Sequence, residues 1–208
     1  MHFFKCLREL IRAYRKYDPA TNSLLEILFL YPGVKAWVLH ELAHYFYMRG
    51  MPFLPRLLSE WGRFITGMDI HPGARIGNRV IMDHGAGIVI GETAIFEDDV
   101  LIYQGVTLGG TSLERSKRHP TIERNCVLGA GSKILGNIVI GHDSRVGANS
   151  VVVKDAPAGS TLIGVPAKVV SSLGVKKGEE LEHGQLPDPI LTKMSELEAR
   201  IVELESKN

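Results

Sequence analysis

Two short segments hold residues whose types and spacing could take a proton from a hydroxyl. In Met82-Asp83-His84-Gly85-Ala86-Gly87 an aspartate and a histidine directly follow an apolar position, and in Gly67-Met68-Asp69-Ile70-His71-Pro72 the carboxylate of Asp69 stands fifteen residues before His84. A carboxylate on one imidazole nitrogen fixes the tautomer and leaves the other nitrogen free as a base. Taken alone, such a pair is more often a surface hydrogen bond than a catalytic device. A third segment, Leu108 to Pro120, is polar and basic, and its cluster Arg115, Lys117 and Arg118 suits a small anionic substrate. A fourth, His40-Glu41-Leu42-Ala43-His44, matches the H-E-x-x-H pattern of zinc hydrolases. It sits on a helix whose apolar face must bury itself and it needs a third ligand, so the expectation is no metal.

The elements that position these residues follow from a repeat. From Ile70 an aliphatic or small apolar residue returns every sixth position: Ile70, Ile76, Met82, Ile88, Ala94, Val100 and Val106, then Ile122, Leu128, Ile134, Ile140, Val146 and Val152. Six residues fit neither a helix nor simple strand alternation, but suit short strands on a three-sided solenoid, about eighteen residues per coil. An all-β sandwich would space its strands more widely. Gly77, Gly129, Gly141 and Gly147 follow key aliphatics and are expected at corners needing positive φ. Four positions after the key residue come mostly small side chains, among them Ala74, Ala86, Cys126, Ser132 and Ser144, which let coils stack around a narrow interior. Val106 and Ile122 are sixteen residues apart, so residues 108–120 must leave the solenoid as a loop, a candidate wall of an active site. One coil brings the chain back to nearly the same edge, which puts Asp69 and His84 within reach of each other.

Residues 1–67 read as a helical cap, with apolar spacing in Phe3, Leu7, Leu10, Ile11 and Tyr14, then Leu24, Leu25 and Leu28, then Trp37, Leu39, Leu42, Ala43 and Phe46, then Leu57, Leu58, Trp61 and Ile65. Pro19, Pro32, Pro52 and Pro55 punctuate it. The solenoid spans 68–170, and 171–208 is a linker ending in a short helix whose stripe Met194, Leu197, Ile201 and Leu204 is either a frayed tail or a short coiled coil. The fold class is α+β. A length of 208 residues, 45% of them hydrophobic, allows a real core, and a net charge of +1 argues against nucleic-acid binding. Two cysteines make no disulfide framework, and Cys126 falls on an inward slot. A reducing cytoplasm, no signal peptide and no membrane span are expected.

From Asp18 to about Val169 the chain resembles the bacterial and plant serine acetyltransferases, hexapeptide-repeat acyltransferases that make O-acetylserine for cysteine synthesis. The resemblance rests on Asp-Ile-His-Pro-Gly-Ala-Arg-Ile-Gly (69–77), Met-Asp-His-Gly-Ala-Gly-Ile-Val-Ile-Gly-Glu-Thr-Ala (82–94), Val-Thr-Leu-Gly-Gly-Thr (106–111), Arg-His-Pro-Thr-Ile (118–122), Gly-Ala-Gly-Ser-Lys-Ile-Leu-Gly-Asn (129–137) and Gly-Val-Pro-Ala-Lys-Val-Val (164–170). It implies a left-handed parallel β-helix, against the usual right-handed crossover. It implies acetyl transfer from acetyl-CoA to the L-serine hydroxyl, with His84 as base and Asp69 as its orienting partner. Asp18, Asp83, Arg118 and His119 then match serine-binding positions: the acids suit the ammonium, and Arg118 the carboxylate. Acetyl-CoA would lie in a groove between subunits along Gly109, Gly110, Thr111, Ala130 and Ala148, with Lys168 toward a phosphate.

The resemblance also implies a homotrimer, since the cap is shorter than in the enteric relatives where it joins two trimers. Cysteine is an expected competitor for the serine site. The chain ends Ser206-Lys207-Asn208, without the terminal isoleucine that relatives insert into O-acetylserine sulfhydrylase, so that complex is not expected. A rival reading is a hexapeptide acetyltransferase acting on a sugar or an antibiotic. A zinc carbonic anhydrase on the same solenoid would need a histidine spacing that His71, His84, His119 and His142 do not show.

Overall fold

The computed structural model describes residues 2–21, 23–171 and 189–205; of the expected tail, residues 172–188 and 206–208 lie outside these. Four helices come first. In α1 (His2–Tyr17) the i, i+4 series Cys6, Leu10 and Tyr14 is buried. α2 (Leu24–Leu30) is capped by the Ser23 hydroxyl, which accepts from the Glu26 N–H at 3.1 Å. α3 (Pro32–Tyr47) starts on a proline, whose missing N–H costs nothing at a first turn. α4 (Leu54–Thr66) stops at Gly67, which takes φ +74° and returns its N–H to the Arg63 carbonyl at 2.8 Å. The apolar stripe Leu57, Trp61 and Ile65 of α4 is exposed. The contact side of α4 carries Pro55, Gly62 and Thr66, small residues that admit α3 and the first strand closely.

The rest is a three-sided, left-handed parallel β-helix. Its first face stacks β1 (Asp69–Ile70), β4 (Val89–Ile90), β7 (Thr107–Gly109), β10 (Lys133–Leu135) and β13 (Val151–Val152). The second stacks β2 (Arg75–Ile76), β5 (Ile95–Phe96), β8 (Thr121–Ile122) and β11 (Val139–Ile140), and the third β3 (Ile81–Met82), β6 (Leu101–Ile102), β9 (Val127–Leu128), β12 (Arg145–Val146) and β14 (Thr161–Gly164). The parallel stack ends where β15 (Ala167–Ser171) folds back antiparallel on β14. Inside, Ile88, Ile102, Leu108, Ile122, Leu128, Ile134, Ile140 and Val146 are fully buried, as is Cys126, whose thiol burial pushes up to about 12. Outward-facing Ile81, Leu101 and Val127 of the third face are covered by α1. The last helix, α5 (Pro189–Glu205), leaves Met194, Leu197, Ile201 and Leu204 exposed. Among the described residues no helix is long and apolar enough to cross a membrane.

The register corrects the hexad reading in three places. Ile70 pairs with Ile90, twenty residues on, whereas Ile90 pairs with Leu108, eighteen on. The first coil therefore carries two extra residues at the corner 83–87, and the strand-centre series beyond it is Ile90, Phe96, Ile102 and Leu108 rather than Ile88, Ala94, Val100 and Val106. Secondly, Leu108 and Gly109 belong to β7, so the loop leaves at Gly110. Thirdly, Gly77, Gly129, Gly141 and Gly147 do not have positive φ; that conformation falls at Arg79, His84, Asp99, Asn125, Asp143 and Asn149, and at other glycines such as Gly87, Gly105 and Gly131. What those glycines provide is clearance. A methyl group on Gly129 would stand 2.7 Å from the Val146 carbonyl and the Ala148 nitrogen of the next coil.

Candidate active site

Two polar modules lie on opposite edges of the first face. One occupies the corner between the third and first faces, where the chain turns through Asp83, His84 and Gly85 with φ +55° at His84. α1 reaches this corner through Tyr14, whose buried hydroxyl donates to the Met82 carbonyl at 3.0 Å and accepts the Met82 N–H at 2.9 Å. Both backbone groups before Asp83 are thereby fixed to the cap. From the end of α1, Tyr17 donates to Asp83 Oδ2 at 3.3 Å and shares a 2.7 Å hydroxyl contact with Tyr103. Next in sequence is Asp18. Its Oδ1 accepts the Ala20 N–H at 2.8 Å and its Oδ2 the Tyr31 hydroxyl at 2.5 Å. Those two donors, with a smaller contribution from His84, hold the Asp18 carboxyl below its usual range, and burial with the Asp18 bond pushes Tyr31 up to about 12. Asp18, Asp83 and His84 are thus gathered at one corner.

The imidazole of His84 is largely exposed, with Nε2 3.8 Å from Asp83 Oδ2. Asp69 lies alongside: its N–H donates to the Ile88 carbonyl at 2.8 Å, and Gly87 donates to Gly67 at 2.9 Å. These backbone bonds set Asp69 and the 83–87 corner on adjoining coils. Among the described residues, however, no hydrogen bond or ion pair joins Asp69 to His84, and the carboxylate nearest the ring is that of Asp83. Below His84 the same corner descends as a ladder of backbone bonds, Gly105 to Ala86, Gly131 to Gln104 and Asn149 to Ala130, each 2.8–2.9 Å. Ala130 and Ala148 are on this ladder, so a narrow track of small residues leads away from His84. Lys168, on β15, is exposed near its far end.

The second module stands at the corner between the first and second faces. Arg118 donates to Glu92 Oε2 at 2.5 Å, and Tyr47 of α3 donates to Glu92 Oε1 at 2.9 Å. These bonds keep Glu92 below the usual carboxylate range. His119 is buried, its ring packed against Gly91 and Gly110 and bonded to Thr93. Lys117 bonds the His119 carbonyl and its amine is pushed down by burial. Burial first, then Arg118 and Lys117, push the His119 imidazole below its ordinary value. Gly109, Gly110 and Thr111 lead into this loop, with Thr111 exposed beside Gly136. Within one chain the Asp18–Asp83–His84 group and the Arg118–His119 group do not touch. Sequence reasoning missed Glu92, Thr93, Tyr47 and the tyrosines Tyr17, Tyr31 and Tyr103. Glu92 alone left a signal, as a charge following a corner glycine.

The H-E-x-x-H helix does something else. His40 is buried, neither ring nitrogen has a well-formed hydrogen bond, and burial, then His44, drive its imidazole down to about 3. His44 turns away and donates from Nδ1 to the Pro72 carbonyl at 2.7 Å. Among the described residues no group of three or more His, Cys, Asp and Glu could hold a metal ion.

Comparison with known proteins agrees with this architecture. Residues 119–154 match the family model described as bacterial transferase hexapeptide, six repeats. A serine acetyltransferase of Synechocystis is 56% identical over 185 residues, 88% of this chain and 74% of that protein; one of Bacillus subtilis is 45% identical over 205 residues, 99% and 94% respectively. Among solved structures, a Neisseria gonorrhoeae serine acetyltransferase in complex with serine superposes with a TM-score of 0.78 at 39% identity, over 82% of this chain and 69% of that one. A Brucella abortus serine acetyltransferase in complex with coenzyme A gives 0.80 at 40% identity over 84% and 70%, and a serine acetyltransferase in complex with cysteine gives 0.82 at 38% over 88% and 71%. With such identities across most of both partners, the chain belongs to the serine acetyltransferase family.

Proposed function

We propose that this protein transfers the acetyl group of acetyl-CoA directly to the L-serine hydroxyl, with His84 as the base. The observation that carries the reading is the corner where Asp18, Asp83 and His84 meet above a track of small residues. Two carboxylates beside one imidazole suit an amino-acid ammonium next to a group that can take a proton. The hydroxyl oxygen attacks the thioester carbonyl carbon while the imidazole accepts its hydrogen; as the tetrahedral adduct collapses, the C–S bond breaks and the imidazolium returns the proton to the thiolate. No acyl-enzyme forms. Asp69 becomes the orienting partner once the exposed ring turns from Asp83 toward it.

Arg118 and His119 supply the remaining serine contacts from a neighbouring protomer. Between the His84 and Thr93 corners runs a face of several residues at ~3.3 Å each, about 20 Å, more than a three-carbon substrate bridges. A homotrimer with sites between its faces closes that gap, and leaves acetyl-CoA the Ala130–Ala148 track on one side, Gly109, Gly110 and Thr111 on the other, and Lys168 at the phosphate end. Cysteine, differing from serine by one atom, competes for the same place.

A CoA-release assay with serine, homoserine and sugars as acceptors tests the reading. Serine supports release, and folded His84→Ala loses about 10²–10⁴-fold in turnover. Sugar acetylation without serine activity overturns the substrate; a folded His84→Ala variant at near-normal rate removes His84 from the mechanism.

A further inference from the structure

The loop from Gly110 to Pro120 is anchored by one side chain outside it. The Thr93 hydroxyl oxygen accepts the backbone N–H of Arg118 at 3.0 Å and that of His119 at 3.1 Å. With both acceptor positions used, its own hydrogen points to His119 Nδ1, 2.9 Å away. The backbone N–H of Thr93 reaches the same nitrogen at 3.2 Å, and an amide N–H can only donate. Nδ1 therefore faces two donors and must be the unprotonated nitrogen. The ring hydrogen is left on Nε2, the edge that lies against Gly91 and Gly110. Among the described residues nothing accepts from Nε2, and it is absent from the buried polar atoms lacking a partner, so it opens outward.

We propose that Thr93 is a positioning residue: its hydroxyl and amide fix His119 as the Nε2-protonated tautomer, so His119 serves the acceptor site as a hydrogen-bond donor to a substrate oxygen and never as a base. The surroundings keep the ring neutral. It is buried, with Arg118 and Lys117 from its own loop disfavouring a second positive charge, while Glu92, held by Arg118 and Tyr47, opposes them. His71, from the corner one coil earlier, faces the same cluster and is itself kept low by burial. A neutral imidazole with one fixed donor hydrogen and no free acceptor leaves proton abstraction to His84 alone.

The inference rests on the serine acetyltransferase reading for its kinetic consequence but not for its tautomer. The test is ¹⁵N NMR of the imidazole nitrogens of the full-length protein, assigned through His119→Gln, together with steady-state kinetics of Thr93→Val and Thr93→Ser. Wild type shows a protonated Nε2 and a bare Nδ1 at His119 that persist below pH 6.5. Thr93→Val, folded by circular dichroism, shows mixed tautomers and about a tenfold loss in kcat/KM for serine, the size expected for losing the one hydrogen bond from His119 to the substrate, with KM for acetyl-CoA unchanged. Thr93→Ser restores both. A hydrogen on Nδ1 in wild type, an imidazolium at pH 7, or a Thr93→Val variant with one tautomer and unchanged serine kinetics overturns the proposal. Absence of serine-dependent CoA release by wild type instead sinks the substrate reading and leaves the tautomer result standing.

Discussion

Two inactive chains should make an active enzyme. Asp18, Asp83 and His84 sit at one edge of the first face, and Arg118 and His119 at the other, bonded to Glu92 and Thr93. If each site is assembled across a protomer interface, one chain supplies the base and its neighbour the guanidinium. His84→Ala and Arg118→Ala are each inactive alone. Co-expressed with different tags and purified as mixed oligomers at equal amounts, half the interfaces have an intact His84 edge and, independently, half have an intact Arg118 edge, so about one quarter of sites are complete. Activity near 25% of wild type follows, read as CoA release per protomer with serine saturating. A second mixture separates the alternatives further. Wild type mixed equally with a chain carrying both substitutions gives about one quarter for sites shared between chains but about one half for sites within a chain. A dead first mixture with a half-active second would refute the intersubunit site, and with it the claim that the two modules serve one substrate from two protomers.

Gly91→Ala places a methyl group where the His119 ring lies; the ring must move by about 1 Å or more, with about a 10²-fold loss in kcat/KM for serine in an otherwise folded protein, and unchanged kinetics would show that His119 is not used. His40 gives the fold an acid sensitivity: its folded value is near 3 against an ordinary 6.5, so below pH 6.5 the unfolded chain binds a proton that the folded one refuses, and stability falls by about 1.4 kcal/mol per pH unit down to pH 3. His40→Leu should match or exceed wild type in urea at pH 7 and lose about 2 kcal/mol less between pH 6.5 and 5, and an unaltered pH dependence would contradict the burial argument.

The solenoid was legible because its interior demands an apolar residue at fixed intervals, and Ile70, Ile76 and Met82 set that interval before any site is considered. The phase beyond His84 was not. Each hexad buries two positions two residues apart, as in Ile88 and Ile90, Ala94 and Phe96, Val100 and Ile102, or Val106 and Leu108. A slip of two residues moves the count from one buried series to the other and leaves the period intact. The corner glycines misled for a related reason: glycine is required both where φ is positive and where a neighbouring backbone comes too close, and sequence does not separate the two. Asp18 carries no periodic signal at all, and only the resemblance pointed to it. Tyr14 shares the apolar spacing of its helix, so its hydroxyl, which holds the Met82 backbone, reads as core, while Tyr17 at the end of α1 and Tyr31 at the junction of α2 and α3 carry no spacing signal for their bonds to Asp83 and Asp18.

The two insertions into the repeat, the enlarged corner at 83–87 and the loop 110–120, are also where the candidate chemistry sits, whereas the last coil is shortened by two residues, with Val146 paired to Leu162. Within a strand of this solenoid a side chain is committed either to the packed interior or to a flat outer face, and its backbone to the coils above and below. A reactive group can be raised clear of both only at a corner. His84 is lifted in this way, at a positive φ that costs a non-glycine residue about 1 kcal/mol. That cost is tolerable because Gly85 and Gly87 share the turn, Tyr14 secures the backbone before it, and the Gly87–Gly67 bond secures the backbone after it. The loop follows the same logic with a different anchor. Its far end returns through Thr93 and the Pro120 carbonyl, which accepts from Ile95 at 3.1 Å, so Arg118 and His119 are fixed to the rigid second-face corner rather than to the exposed run from Thr111 to Ser116. Repetition supplies the stiffness, and each interruption is bonded back into it within a few residues.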